Sequence, residues 1–105
     1  KLETIDSLAA LSEAQVIGIY FTASWCGPCR AATPVLAESY KQLQKKHGKA
    51  FEMVCVSHDQ SEVAFQRYFQ KMPWLALPFQ SLQKTVLGEL FKVEGIPTLI
   101  LLDSK

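Results

Sequence analysis

The chain has 105 residues, of which 49% are hydrophobic and 20% are charged. This composition predicts one compact soluble domain over residues 1–105, because a second hydrophobic core would need roughly another 100 residues. Eleven Lys and Arg residues against ten Asp and Glu leave a formal net charge of +1, which gives no sign of a nucleic-acid partner. The longest apolar run, residues 16–21, is far shorter than the roughly 20 residues that span a bilayer, so we expect no membrane segment.

The apolar pattern of the first half predicts a strand, a helix and a second strand. Residues 16–21 are rich in β-branched and aromatic side chains, which is typical of a strand covered on both faces. Apolar residues recur at helical spacing over 32–43, and Gly48 is a stop signal for that helix. Residues 51–56 repeat the strand pattern, so we expect a right-handed crossover between parallel strands. A short helix over residues 6–11 is expected to precede them.

The second half predicts two more helices and a last strand. Asp59 or Ser61 can cap the second helix, whose apolar face runs to Met72 before a proline ends it. A third helix is expected over residues 81–91 and a strand over 99–102. Since a sheet of three strands with an apolar edge would aggregate, we expect the last strand and helix of the fold to lie beyond this chain.

A predicted loop over residues 72–78 keeps large apolar side chains where a solvated loop would not. Trp74 is the largest of them. Its position in the sequence fits a core side chain and a side chain on the substrate face equally well.

Two cysteines, Cys26 and Cys29, stand at the expected start of the first long helix with Gly27 and Pro28 between them. Proline is tolerated in a first helical turn, where no helical donor is lost. Unpaired amides and the dipole at a helix N-terminus stabilise a thiolate, so we predict that Cys26 is the nucleophile. Cys29, one turn further in, is placed to attack the resulting mixed disulfide and release the reduced substrate. Trp25 offers a flat apolar surface beside the nucleophile.

Other interpretations of the cysteines are weaker. The cysteine pair could supply two of the four ligands of a zinc site. The other two would have to come from Cys55, His47 and His58, which form no second paired motif, so we expect no metal. A structural disulfide between cysteines three apart would restrain the unfolded chain very little. Cys55 lies within a predicted buried strand and is expected to be a core residue. The two histidines flank turns and are expected to be solvated.

The resemblance to a known family rests on several motifs together. Residues 25–29 read Trp-Cys-Gly-Pro-Cys, Pro34 follows five residues later, and Ile96-Pro97-Thr98 precedes a late strand. This combination resembles the thioredoxin superfamily, and residues 20–26 and 68–79 resemble its tryparedoxin and nucleoredoxin branch. The resemblance implies an α/β thioredoxin-like fold with a central mixed sheet flanked by helices, in which a cis Pro97 faces the cysteine pair.

The function that the resemblance implies is dithiol–disulfide exchange without a bound cofactor. The redox centre would be a Cys26–Cys29 disulfide, reduced by an external donor that is either trypanothione or a thioredoxin-reductase type of enzyme. The acceptors would be disulfide proteins such as peroxiredoxins, and the alternative is a nucleoredoxin-like redox-sensing module that binds a regulatory partner. We expect a cytoplasmic monomer. The residues expected to contact substrate are Trp25, Gly27, Pro28, Trp74, Ile96 and Pro97.

Two positions depart from the family pattern. Gly27 and Pro28 stand where the branch usually has two prolines. Tyr20 stands six residues before the nucleophile, where thioredoxin has a buried acidic residue and the tryparedoxin branch has a tyrosine as this chain does. The resemblance therefore assigns no carboxylate base, and the sequence leaves the proton acceptor for resolution open between water, the Tyr20 hydroxyl and another residue.

Overall fold

A computed structural model describes residues 15–79 and 82–103 of the chain. The predicted helix over residues 6–11 lies outside the described residues. Strands and helices alternate in the described part, in the order β1 (Val16–Thr22), α1 (Gly27–His47), β2 (Phe51–Ser57), α2 (Glu62–Phe69), β3 (Leu75–Ala76), α3 (Leu82–Leu90) and β4 (Thr98–Asp103).

Four strands form one mixed sheet in the order β3-β2-β1-β4. β1 pairs in parallel with β2 and antiparallel with β4, and β2 pairs in parallel with β3. The register places Tyr20 of β1 between Cys55 of β2 and Leu99 of β4. The predicted mixed sheet flanked by helices is therefore confirmed, and the crossover from β1 through α1 to β2 joins parallel strands as expected.

The loop predicted over residues 72–78 is wrong in one respect, because it contains β3. Leu75 and Ala76 pair with Val54 and Cys55 on the open edge of β2. Two residues are too few to show a strand period in the sequence. The pairing is supplied by the exposed edge of the neighbouring strand, which only the folded chain provides.

The ends of the helices follow local signals. Gly48, which follows the last residue of α1, has a φ of 60°, a positive value that glycine adopts without a steric cost. Ser61 caps α2 by accepting a hydrogen bond from the amide of Ala64 at 3.2 Å, so Asp59 is free for another contact. α2 ends at Phe69 and does not reach Met72 as predicted, since the residue before a proline avoids the α conformation.

The sheet is covered on both faces by apolar side chains. One cluster holds Tyr20 and Cys55 of the sheet with Tyr40 of α1 and Phe65 of α2. The other is built on Phe21 of β1 and its neighbours, and Leu87 of α3 and Phe91 just after it pack against this cluster. None of the helices in the described ranges has the length and apolar character that a transmembrane span requires.

Trp74 lies in the core and not on the substrate face. Its side chain is 1% exposed, and its ring meets those of Tyr20 and Tyr40 edge to face, with centroids 5.8 and 5.7 Å away. The indole Nε1 is buried with no hydrogen-bond partner among the described residues. The pairing of β3 turns this side chain under α1, so the expectation that Trp74 contacts substrate is corrected.

Candidate active site

The end of β1 and the first turn of α1 bring the two cysteines together. Cys26 is the N-cap of α1, and its Sγ accepts a hydrogen bond from the amide of Cys29 at 3.3 Å. The carbonyl of Cys26 accepts the amide of Arg30 at 3.0 Å, which begins the helical ladder. The predicted placement of Cys26 at a helix N-terminus is therefore confirmed, and its sulfur occupies the position that a capping oxygen usually takes.

The two thiols differ in their access to solvent. Cys26 is 7% exposed and Cys29 is fully buried. Burial and the hydrogen bond to Cys26 raise the pKa of Cys29, and a hydrogen bond from Thr22 partly opposes them. A buried thiol of raised pKa stays protonated, so Cys29 is a poor first nucleophile and is placed to react after Cys26.

The peptide bond between Ile96 and Pro97 is cis, as the resemblance implied. Ile96 packs against Ala23 and both cysteines. The thiol of Cys26 points to the Ile96 carbonyl, with 3.8 Å between sulfur and oxygen. The chain before β4 thus comes next to the sulfur of Cys26.

Trp25 projects beside the nucleophile, and 56% of its side chain is exposed. Its Nε1–H donates to the carbonyl of His58 at 3.0 Å, which fixes the ring although its face is open to solvent. Gly27 and Pro28 are also exposed. An exposed aromatic ring held by one hydrogen bond is a suitable surface for an apolar part of a substrate.

His58 is not the solvated residue that the sequence predicted. Its ring lies against Phe21, with centroids 6.1 Å apart, and its Nε2 is buried without a partner among the described residues. Burial lowers the pKa of His58, and nearby Lys84 adds to that effect. Cys55 is buried in the core as expected, and burial raises its pKa.

Asp59 holds the loop that carries the nucleophile. Its carboxylate is 5% exposed and accepts hydrogen bonds from the amide of Ser24 at 2.7 Å, from the Ser24 hydroxyl and from the Ser57 hydroxyl at 2.7 Å. We call these three residues the Asp59 clamp. The sequence analysis considered Asp59 only as a helix cap. The sequence did hold a signal for this contact. Asp59 comes just after β2 and Ser24 just after β1, and the carboxyl ends of parallel strands meet at one edge of a sheet.

Four hydroxyl groups form a connected set that ends at the backbone carbonyl of Cys29, and they belong to Tyr20, Thr22, Thr33 and Tyr68. The resemblance had drawn attention to Tyr20 alone. In the described part of the chain, no three His, Cys, Asp or Glu side chains converge as a metal site would require.

Comparison with known proteins identifies the family. The profile described as thioredoxin-like matches residues 14–105. Nucleoredoxin of Danio rerio is 48% identical over 104 residues, which are 98% of this chain and 24% of that protein. Tryparedoxin of Trypanosoma brucei brucei is 52% identical over 93 residues, which are 86% of this chain and 62% of that protein.

A solved structure described as tryparedoxin II complexed with glutathionylspermidine superimposes with a TM-score of 0.80 at 43% identity, over 89% of this chain and 65% of the other. The chain spans about a quarter of the length of the zebrafish nucleoredoxin that it matches. The sheet, the cysteine pair on α1 and the matched profile agree, and the chain belongs to the thioredoxin-like family.

Proposed function

We propose that this chain reduces disulfide bonds by thiol–disulfide exchange through Cys26 and Cys29. The tryparedoxins and nucleoredoxins to which it is similar are thiol–disulfide oxidoreductases. The observation that carries the proposal is the geometry of the pair: Cys26 caps α1 beside the cis peptide, and Cys29 is buried one turn behind it.

The reaction proceeds in two exchanges. The Cys26 thiolate attacks one sulfur of the substrate disulfide, so that a Cys26–substrate disulfide forms, the substrate S–S bond breaks, and the departing thiolate takes a proton from solvent. Cys29 then loses its proton to solvent and attacks Cys26 Sγ, which expels the second substrate thiolate. The substrate gains two electrons, and the cysteine pair becomes a disulfide.

The surface around Cys26 suits an extended disulfide-containing segment. The exposed ring of Trp25 forms one side, the exposed Gly27 and Pro28 form the rim, and Ile96 and Pro97 form the opposite side. A substrate strand that runs along the backbone before β4 would present its disulfide to the sulfur of Cys26. We therefore assign substrate contact to these five residues.

The electron donor in this proposal is a low-molecular-weight dithiol of the trypanothione type or an enzyme of the thioredoxin-reductase type, and the acceptor is a disulfide protein such as a peroxiredoxin. Support for a small thiol comes from the related tryparedoxin II that is described in complex with glutathionylspermidine. Rates of re-reduction of the oxidised chain by trypanothione and by thioredoxin reductase with NADPH would distinguish these donors.

The test uses three single-cysteine variants and a protein disulfide such as that of insulin. Cys26→Ser should abolish reduction, and Cys29→Ser should accumulate a covalent adduct with the substrate because the second exchange is lost. Cys55→Ala is the matched control and should retain turnover, since this thiol is buried away from substrate. Turnover by Cys26→Ser would refute the proposal, and so would the absence of any adduct with Cys29→Ser.

A redox-sensing interaction module is the second candidate function. The observation that favours it is that the similar nucleoredoxin is about four times longer than the matched region, so that the matched region is one part of a longer chain there. Rapid multiple turnover with a small thiol donor supports the oxidoreductase. Oxidation of one pair per molecule, coupled to release of a bound protein, supports the sensor.

A further inference from the structure

His58 supports the loop that carries the nucleophile. Its amide donates to the carbonyl of Thr22 at 2.8 Å, and its own carbonyl accepts the Nε1–H of Trp25 at 3.0 Å. Its ring lies against the fully buried Phe21, the neighbour of Thr22 in β1, with centroids 6.1 Å apart. Backbone and ring therefore both attach His58 to β1, and His58 in turn holds the exposed ring of Trp25.

The packed ring of His58 suits a neutral imidazole. Its Nε2 is buried and has no hydrogen-bond partner among the described residues. A protonated imidazole donates from both of its nitrogens, so protonation in this position would bury a charged N–H that has no acceptor. Burying an unpaired charge costs far more than burying a neutral polar group. Protonation is therefore expected to drive the ring away from Phe21 and into solvent.

The charged groups that face the ring come from α3 and from the loop after β2. Lys84 of α3 opposes a positive charge on His58, whereas Asp59 favours one. The Asp59 carboxylate is already shared by the two serines of the Asp59 clamp, and β1 meets the ring with Phe21, which carries no charge. Burial, and then Lys84, lower the pKa of His58 below its ordinary value of 6.5, and Asp59 opposes them only in part.

We propose that His58 is a positioning residue for substrate binding, whose packed ring keeps the indole of Trp25 in place and whose release from Phe21 in acid loosens it. The inference rests on the proposed function, which assigns substrate contact to Trp25. A proton from solvent binds the imidazole, and no covalent bond to carbon or sulfur changes. Since the released ring binds this proton more readily than the packed ring, the packed arrangement is complete above pH 6.5 and is lost as the pH falls below it.

The signals of the two indole N–H groups in a proton–nitrogen NMR spectrum report the arrangement directly. They are followed between about pH 8 and about pH 5, the interval in which histidine titrates. The Cys26→Ser protein is used, because the Cys26 thiolate would otherwise titrate beside Trp25 over the same interval. The ring signals of His58 should shift with a midpoint below 6.5. The Trp25 signal should move with that same midpoint, and the signal of the buried Trp74 should stay.

Substitutions at position 58, made in the same protein, separate the ring from its charge. His58→Phe keeps an aromatic ring against Phe21 but binds no proton, so the Trp25 signal should no longer move with pH. His58→Ala removes the ring, and the Trp25 signal should lie near its acid position at every pH. His47→Ala is the matched control, because it removes the exposed histidine at the end of α1. The movement of the Trp25 signal should be retained in it.

The reduction of insulin by the protein with both active cysteines, with dithiothreitol as electron donor, is the second readout. At neutral pH, His58→Ala should raise KM about fivefold and leave kcat unchanged, because binding worth about one hydrogen bond is lost. His58→Phe should keep the wild-type KM. Below pH 6.5 the ratio of the wild-type KM to that of His58→Phe should rise, since both proteins share the titration of Cys26 and only one can protonate at position 58.

The outcomes distinguish this inference from the proposed function. If the Trp25 signal does not move with the His58 midpoint, or still moves in His58→Phe, the positioning role is refuted. An unchanged KM in His58→Ala would refute it as well. If Cys26→Ser reduces insulin, the proposed function fails while the NMR result stands. Partial loss of folded protein lowers kcat without raising KM and disturbs the Trp74 signal, so misfolding does not imitate the expected result.

Discussion

Removal of the Asp59 carboxylate should loosen the loop that presents Cys26. In Asp59→Ala the amide and hydroxyl of Ser24 and the hydroxyl of Ser57 all lose their acceptor. In Asp59→Asn the side-chain carbonyl can still accept both hydrogen bonds from Ser24. The amide nitrogen then faces Ser57, whose hydroxyl can accept in place of donating.

The sizes of the two effects follow from the hydrogen bonds. Hydrogen bonds to charged groups contribute about 1.5–3 kcal/mol each, and bonds that share one acceptor are not additive. We therefore expect Asp59→Ala to lower the free energy of unfolding by about 3 kcal/mol. Asp59→Asn should cost about 1 kcal/mol, because the bonds remain while the charge is lost.

Urea unfolding followed by circular dichroism measures both changes in stability. The rate at which Cys26 attacks dithiobis(nitrobenzoate), a disulfide that releases a coloured thiolate, reports the reactivity of Cys26. Glu38→Ala is the control, since Glu38 is an exposed carboxylate within α1 and should change stability by less than about 0.5 kcal/mol. If Asp59→Ala is no more destabilising than this control, the Asp59 clamp does not hold the loop. If the coloured thiolate is released by Asp59→Ala as fast as by the wild-type protein, the Asp59 clamp does not position Cys26.

The other predictions concern packing, thiol access and alkaline stability. Gly18→Ala places a Cβ 2.9 Å from a buried methionine side chain and should lower the free energy of unfolding by about 1–3 kcal/mol. Gly88→Ala lies in open space within α3 and should raise it by about 0.5–1 kcal/mol. Urea unfolding measures both changes, and equal effects would contradict the packing argument. Iodoacetamide with peptide mapping should modify Cys26 before the fully buried Cys29, and the reverse order would contradict the assigned roles. Burial raises the pKa of Tyr68 from 10.0 to about 12, so the stability that the neutral hydroxyl contributes is complete below pH 10 and is lost as the pH rises towards 12. Between pH 10 and pH 12 the free energy of unfolding of Tyr68→Phe should therefore fall less steeply than that of the wild-type protein. Equal slopes would refute the assigned burial of this hydroxyl.

The sequence alone was enough to place the elements that depend on local pattern. The apolar runs of β1 and β2 gave their positions because strands covered on both faces carry few polar residues. The start of α1 followed from Cys26, Gly27 and Pro28, whose types suit a helix N-terminus. The family motifs added the mixed sheet and the cis peptide before β4. In each case neighbouring residues in the chain carry the signal.

The tertiary structure decided which distant side chains meet. Trp74 could be placed only when β3 paired with the edge of β2, and His58 only when its ring packed on Phe21. The partner of Asp59 lies 35 residues away at Ser24, and Thr22 and Tyr68 are separated by 46 residues. Hydroxyl and carboxylate groups have no periodic signature of their own, because their partners are chosen by the packing of β1, α1 and α2 around Cys29. The sequence thus determined the reacting pair and its place at a helix start, and the fold determined the groups that hold and orient it.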